Sequence, residues 1–473
     1  MKKIQSFFTL LLSVIVLFHC QVPGPPPNII LIVVDDMGWS DLGCYGNDFH
    51  ETPNIDRLAE NGIRFTNAYA TCPVCSPSRA SILTGKYPVN VNITDWIPGR
   101  QFGVGLEKDK KLKVPEFAHE LALKELTIAE KLKEAGYQTA HIGKWHLGGE
   151  GYLPENQGFD INVAGDHRGS PASYFYPYGD PVGRHVPHLQ EGGREGEYLT
   201  DRLVSEAIQY ISKHAEDPFF LYLPFYTVHI PIQGKPDKIR KYEEKTGRVP
   251  SRWDNPDYAA MVESLDENVG RLMNELKELK IDENTFIILT SDNGGLSVFE
   301  GKNTPATINY PLKAGKGYIY EGGIREPMII WYPPLIKEGF VSDEVVTSVD
   351  IFPTIMELAS LDRQNTDGVS IMPAIRGQSL PDDRVFFWHY PHYSNQGGTP
   401  AGAVRKGNYK LIEFFDDGHL ELYDLENDVG ETRDIKNEYP TIAGELYDLL
   451  KGWQEQTKAK MPERNPVYEG DAE

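Results

Sequence analysis

The sequence predicts an α/β protein: a large, mainly parallel sheet flanked by helices, then a smaller C-terminal α+β subdomain carrying an antiparallel sheet. Three observations carry this. Asn28 to Val34, N-I-I-L-I-V-V, is continuously apolar, as a strand covered on both faces must be. Further strand-like runs alternate with segments of helical periodicity, the arrangement that builds a parallel sheet. Past about residue 381 the texture changes to Tyr- and Phe-rich runs broken by tight turns. At 473 residues the chain exceeds one ordinary core, so two unequal units are expected. The divisions read from the sequence are a targeting segment over 1–20, a Pro/Gly-rich linker over 21–27, a large domain over 28–380 and a subdomain over 381–473.

Taken in order, Lys2 and Lys3 precede an apolar run from Phe7 to Phe18 that is too short to span a membrane, the pattern of an export signal. The run ends at Cys20, with Leu17 three residues earlier, which suggests lipoprotein processing; His19 stands where a small residue is usual. An exported protein, periplasmic or at the cell surface and lipid-tethered at Cys20, is expected. The first strand ends in Asp35-Asp36-Met37-Gly38. Thr52-Pro53 opens a short helix through Ile55, Leu58 and Ala59, stopped by Gly62. Ile63 to Tyr69 is extended and leads into T-C-P-V-C-S-P-S-R-A-S-I-L-T-G-K-Y-P, residues 71–88. Pro73 and Pro77 disfavour helix before them, and Ser78 or its neighbour can cap a helix starting near Arg79. Cys75 is then expected just ahead of a helix N-terminus, where an anion is favoured. A thiolate nucleophile fits that position; a buried or disulfide-bonded cysteine fits the same residues equally well.

Thr127 with Glu130 reads as a capping box on a helix ending at Gly136. Gln138 to Ile142 is a strand followed by Gly143-Lys144-Trp145-His146, and Phe219 to Tyr226 is a strand that delivers His229. Pro256 to Lys280 has helical spacing and reads as scaffold. Phe286 to Thr290 ends in Ser291-Asp292-Asn293-Gly294, and Met328 to Trp331 is a further strand. In the C-terminal part, Lys410 to Phe415 and Leu420 to Tyr423 flank a hairpin at Asp417-Gly418, and Tyr439 to Gln456 is a closing helix.

In parallel sheets the ligand site lies outside the carboxyl ends of the strands. Asp35-Asp36, Lys144 and His146, His229, and Asp292-Asn293 all follow strand ends, so four strands deliver polar groups to one edge. Three converging carboxylates repel: two unit charges ~4 Å apart cost about 4 kcal/mol at an effective dielectric near 20. A divalent cation resolves this. The all-oxygen set Asp35, Asp36, Asp292 and Asn293 suits Ca²⁺ or Mg²⁺ and argues against zinc. The formal charge of −22 excludes nucleic acid as a partner.

Cys75-Ser76-Pro77-Ser78-Arg79 followed by Leu83-Thr84-Gly85 resembles the signature of the type I sulfatases, where C-x-P-x-R directs oxidation of the cysteine to formylglycine. The resemblance extends to V-V-D-D-M-G (33–38), G-K-W-H-L-G (143–148), T-V-H-I-P (227–231), S-D-N-G-G (291–295) and G-K-G-Y-I-Y-E-G-G-I-R-E-P (315–327). It implies an alkaline phosphatase-like fold and an enzyme matured by a formylglycine-generating or anaerobic sulfatase-maturing enzyme. It further implies that Asp35, Asp36, Asp292 and Asn293 hold Ca²⁺, with the formylglycine from Cys75 facing the ion. Arg79 would orient its hydrate, one hydroxyl attacking with a carboxylate such as Asp292 assisting and the other expelling sulfate with His146 as base. Lys144 and Lys316 would offset charge on the sulfate. His229 would be the acid for the leaving alcohol, its ring on the side away from Asp35-Asp36. Lys313 stands where relatives often have arginine and is left out of the site. With Cys20 assigned to processing and Cys75 to chemistry, at most one bridge remains, Cys44 to Cys72.

Within that family, an exported and acidic enzyme fits a sulfated saccharide better than a small phenol. Trp96, His389 and His392 lie in stretches resembling those of bacterial carbohydrate sulfatases and are the candidate sugar contacts. Two other readings stay open: a phosphonate monoester or phosphodiester hydrolase of the same superfamily, and a non-catalytic glycan-binding lipoprotein whose Cys75 stays a thiol.

Overall fold

A computed structural model describes residues 25–99, 108–246, 254–362 and 365–469. The export segment, Cys20 and most of the linker lie outside the described residues. Among them no helix is long and apolar enough to cross a membrane.

Nine strands precede the C-terminal sheet: β1 (Asn28–Val34), β2 (Ile63–Tyr69), β3 (Leu112–Lys113), β4 (Gln138–Ile142), β5 (Ile161–Val163), β6 (Phe219–Pro224), β7 (Thr285–Ser291), β8 (Arg325–Trp331) and β9 (Phe340–Thr347). Eight of them form one sheet in the order β5-β4-β6-β1-β7-β8-β2-β9. All its pairings are parallel except those of β8, which runs against both β7 and β2. The carboxyl ends of β1, β2, β4, β6 and β7 therefore share one edge with the amino end of β8.

Side-chain alternation divides the central strands between two cores. Ile30, Ile32, Leu221, Leu223, Ile287 and Leu289 face Met261, Leu265, Val269 and Leu272 of the Pro256–Glu278 helix. Ile29, Leu31, Val33, Phe220 and Ile288 face Ala80, Ile82 and Leu83 of the Cys75–Thr84 helix and Ile351 and Ile355 of the Ile351–Leu358 helix. The capping box at Thr127 and Glu130 forms, with both reciprocal bonds present.

The second sheet is a meander of β10 (Val385–Tyr390), β11 (Ala401–Lys406), β12 (Tyr409–Phe414) and β13 (Leu420–Asp424). One face packs Leu411, Leu422 and Val404 on Leu446 and Leu450 of the Pro440–Gln456 helix. The other packs Trp388, Ala403 and Ile412 on Tyr69, Ile319 and Ile324 of the large unit. A short β14 (Glu463–Arg464) returns to pair with β3.

One reading changes and two are completed. The helix after the cysteine turn starts at Cys75, not near Arg79; Val74 is its N-cap, and Ser78 Oγ donates to the Cys72 carbonyl rather than capping. Pro77 is tolerated because first-turn N–H groups have no intrahelical acceptor to lose. Second, the pairing of Cys44 with Cys72, which the sequence left open, is not made: both are free thiols. Cys44 sits beside Asp56 of the Pro53–Glu60 helix, whereas Cys72 packs with Val74 and Tyr390. Third, β5, β9 and the Leu199–Lys213 helix are additions to the elements read from the sequence.

A buried ion network ties the two sheets together. Lys410 Nζ on β12 reaches Glu321 at 3.0 Å and Glu431 at 2.9 Å, all three side chains without solvent exposure. Glu321 also accepts from Tyr69 at 2.6 Å. Removing one partner of such a network strands the others. Lys410→Met should therefore lower stability by about 3–5 kcal/mol in denaturant unfolding, and Glu321→Gln in the same chain should recover part of it. An unchanged midpoint for Lys410→Met would show that the network carries no stability.

Candidate active site

The site forms at the shared strand edge, where the backbone of each arriving segment is stitched to its neighbour. Asp35 N and O bond Thr227 O and Val228 N at 3.0 and 2.8 Å, and Lys144 N bonds Pro224 O at 2.7 Å. Lys316 N bonds Gly295 O at 3.1 Å, and Gly317 N bonds Pro73 O at 2.8 Å, which locks the cysteine turn to the segment entering β8. Gly143 must be glycine: its φ is 133°, and a Cβ would stand 1.9 Å from the Pro224 carbonyl oxygen.

Six opposite charges are buried together. Lys144 Nζ sits on both oxygens of Asp35 at 2.9 and 2.8 Å. Arg79 donates to Asp292 at 2.8 Å and stands 3.5 Å from Asp35, and Lys316 reaches Asp36 at 2.7 Å. Asp292 in turn accepts from Asp36 N, and Asn293 Nδ2 donates to Asp36 at 2.8 Å. Asp36 and His146 hold left-handed φ values of 61° and 58°, conformations that aspartate and histidine tolerate better than most residues. Burial pushes Asp35 up to about 8 against the pull of Lys144. At Asp36 burial is outweighed by Lys316, His229 and Lys144, which hold it well below the usual carboxylate range.

Above this cluster opens a cleft of about 930 Å³, and Cys75, His146, His229 and Lys316 all line it. Cys75 Sγ is 3.3 Å from His146 Nδ1, and His146 Nε2 is 2.5 Å from the Ile97 carbonyl oxygen. Because a carbonyl only accepts, Nε2 carries the proton and the Nδ1 lone pair faces residue 75. Burial and Lys144 keep the His146 pKa well below the usual histidine range, and burial pushes the Cys75 thiol up. His229 Nδ1 donates to Ile230 O at 2.8 Å, and burial with Lys316 holds the ring neutral, down to about 3.

Asp35, Asp36, Asp292, Asn293, Arg79, Lys144, Cys75, His146, His229 and Lys316 thus converge, but on two levels. Arg79 and Lys144 have no exposed surface and touch carboxylates rather than the cleft. His229 is not on the side away from Asp35-Asp36: its Nε2 lies 3.6 Å from Asp36. Trp96 lines the cleft, whereas His389 and His392 do not. His389 bonds the Lys460 carbonyl and Gln454, and His392 bonds Thr94 at 2.8 Å against the Phe117 ring. His389 is consumed inside the C-terminal unit, and His392 at its seam with the large unit. Their neighbours Asn395 and Gln396 reach the cleft instead. Lys313 lies over the Tyr320 ring at 3.7 Å, outside the site. The cleft residues Asp166, Arg168, Arg184 and Glu300 went unread because they sit in long loops without strand-end motifs.

Comparison with known proteins covers most of the chain. The sulfatase family model matches residues 27–361, and that of the N-sulphoglucosamine sulphohydrolase C-terminal region matches residues 314–456. A sulfatase of Formosa agariphila is 34% identical, with 90% of this chain and 88% of the relative covered. The N-acetylgalactosamine-6-sulfatase of Canis lupus familiaris is 33% identical, with 81% and 71% covered. Among solved structures, Ps i-CgsB in complex with k-i-k-neocarrahexaose is 28% identical with a TM-score of 0.74, covering 93% of this chain and 96% of that one.

The donor set suits a hard divalent cation. Ligand atoms of Asp35, Asp36 and His229 lie within 4.8 Å of one another, and Asn293 Oδ1 is buried without a hydrogen-bond partner. An orphaned amide oxygen on a residue bonded to the Asp36 carboxylate is what an oxygen-coordinated ion takes up. Calcium added to chelated protein should raise the unfolding midpoint, by about 2.7 kcal/mol of stability at a hundredfold excess over its dissociation constant. Asp36→Asn and Asn293→Ala should blunt that gain. Equal stabilisation of parent and variants would place the ion elsewhere.

Proposed function

The chain belongs to the sulfatase family and is a sulfuric ester hydrolase; from that premise we propose that it removes O-sulfate groups from carbohydrates. Cys75 would first be oxidised to formylglycine by a maturing enzyme, and Asp35, Asp36, Asp292 and Asn293 would hold Ca²⁺, or Mg²⁺ in its place. The carrying observation is that Cys75, His146, His229 and Lys316 meet on one cleft directly above a buried, charge-balanced cluster. The carbohydrate reading is supported by relatives named for a sugar sulfate or solved with k-i-k-neocarrahexaose. The cleft's volume, its Trp96 face and the amides of Asn395 and Gln396 also suit a saccharide.

When present, the formylglycine hydrate supplies a nucleophilic hydroxyl at residue 75, and the cation supplies positive charge for the sulfate oxygens. The chain's own residues do the remaining work. Arg79 and Lys144 hold Asp292 and Asp35 in place from below. Lys316 offers an ammonium group at the cleft, beside the catalytic floor, to offset charge on the bound ester. The free Nδ1 of His146 is placed to take a proton from the side chain of residue 75. His229, its Nδ1–H held by Ile230, presents the Nε2 lone pair to the cleft. It is assigned the proton delivered to the leaving alcohol, which Nε2 must first take up from solvent as the anionic ester binds and offsets the Lys316 charge that joins burial in keeping the ring neutral. Arg79, Lys144 and Lys316 set three cations against three carboxylates, of which burial favours the neutral form of Asp35. The floor of the cleft therefore does not share the −22 carried by the whole chain and, with a cation bound, would attract a sulfate ester.

We also place the enzyme outside the cytoplasm, periplasmic or at the cell surface and tethered at Cys20. The support is the Lys2-Lys3 start and the apolar run from Phe7 to Phe18.

Turnover separates these assignments. Matured protein should release sulfate from sulfated sugars and should hydrolyse phosphonate monoesters far more slowly; the reverse preference would contradict the reading. General acid catalysis contributes ~10²–10⁴-fold, and a nitrophenolate scarcely needs it. His229→Ala should therefore lose at least about tenfold more activity on a sulfated sugar than on nitrophenyl sulfate. Equal losses would mean that His229 binds sulfate and delivers no proton.

A further inference from the structure

The cleft is much larger than its catalytic floor, and one of its walls is built for charge. Residues 166–186 supply Asp166, Arg168, Arg184 and His185 to the lining. The segment is fixed from below: Asp166 O accepts from His146 N at 3.0 Å. Gly169 lies so close to the His146 ring that a Cβ there would be 2.4 Å from Cε1. It is also fixed within itself. Gly179 and His185 form an antiparallel bridge, and Arg168 Nη1 ties Asp166 at 2.6 Å to the His185 carbonyl at 3.1 Å. The Asp180 carboxylate accepts from Arg184 Nε at 2.6 Å and from Arg184 backbone N at 3.0 Å, and both Nη groups are left without a protein partner among the described residues. Its side chain is 64% exposed.

We propose that this wall binds a second anionic group of the substrate, a sulfate or carboxylate remote from the ester being cleaved, with Arg184 as the principal contact and Arg168 beside it. The inference rests on the carbohydrate reading above and narrows it to saccharides with more than one charge. Each arginine is paired with one aspartate, so the wall is near neutral and works through geometry. An arginine pinned at one nitrogen presents its remaining N–H groups in a fixed direction, which suits planar or tetrahedral oxyanions. The pairing also costs little entropy on binding, because the guanidinium is already held. A chain with a formal charge of −22 needs such a contact to retain a polyanion beyond its catalytic floor.

The test compares two disaccharides that differ by one group: one with a single 6-O-sulfate on N-acetylgalactosamine, the other with a further sulfate on the adjoining sugar. Calorimetric binding to full-length Cys75→Ala protein should favour the doubly sulfated compound, and adding Arg184→Ala should reduce that preference at least about tenfold. In matured enzyme the same substitution should lower the ratio of the two kcat/KM values through KM, because a remote contact is made equally in ground and transition states. Arg184→Glu should invert the preference, and Arg184→Lys should recover part of it. No affinity gain from the second sulfate in the parent, or a gain that survives Arg184→Ala, would overturn the proposal. Failure of the carbohydrate reading shows differently, as turnover of nitrophenyl sulfate but of neither disaccharide; the binding comparison still judges the wall in that case.

Discussion

Everything at the functional edge depends on one electrostatic constraint: three carboxylates and three cations share a space from which water is excluded. Asp35, Asp292, Arg79 and Lys144 have no exposed side-chain surface, and Asp36 and Lys316 are 3% and 8% exposed. Isolated, any of these groups would be costly to bury; together they are tolerated because each carboxylate meets a cation with hydrogen-bonding geometry. The six arrive from separate places in the chain: the ends of β1, β4 and β7, the Cys75–Thr84 helix and the segment entering β8. Their pairing therefore also aligns the sheet edge.

The same constraint separates support from chemistry. Lys144 and Arg79 are paired with carboxylates and lie outside the cleft lining, so in this structure they set the geometry of Asp35 and Asp292. Lys316 and His229 touch both Asp36 and the cleft, and His146 and Cys75 line the cleft against each other. The smaller unit contributes at the rim, where Gln396 donates to Glu300 at 2.6 Å. It is bound to the large unit by the Lys410 network and by the packing of Trp388 and Ile412 on Tyr69 and Ile324. Rim and floor are thus held in register by a second buried charge network, built on the same principle as the first.

What could be read in advance follows from where the information lies. The strands were legible because a segment covered on both faces must be continuously apolar, and the carboxylates and histidines were legible because they follow such runs directly. Direction was not: Met328 to Trp331 is equally apolar either way, and β8 is reversed because the chain leaving β7 loops back to the same edge before re-entering the sheet. The start of the cysteine helix was misjudged because Pro77 breaks a helix interior but fits a first turn. His389 and His392 look like sugar contacts by composition, yet their polar atoms are claimed by Lys460 and Thr94. The residues 166–186 gave no warning, since their role depends on folding back over His146 and nothing local marks that.

The central claim is that Cys75, at the head of its helix and above the charge cluster, becomes the reacting group of a sulfate ester hydrolase only after oxidation. The direct measurement is mass spectrometry of the Cys75 peptide, made on the same preparations whose sulfate release is assayed and spanning a range of maturation. The account predicts that specific activity rises in proportion to the fraction of residue 75 converted from thiol to aldehyde and extrapolates to zero in unconverted protein. Full activity in preparations whose residue 75 is entirely cysteine would contradict it.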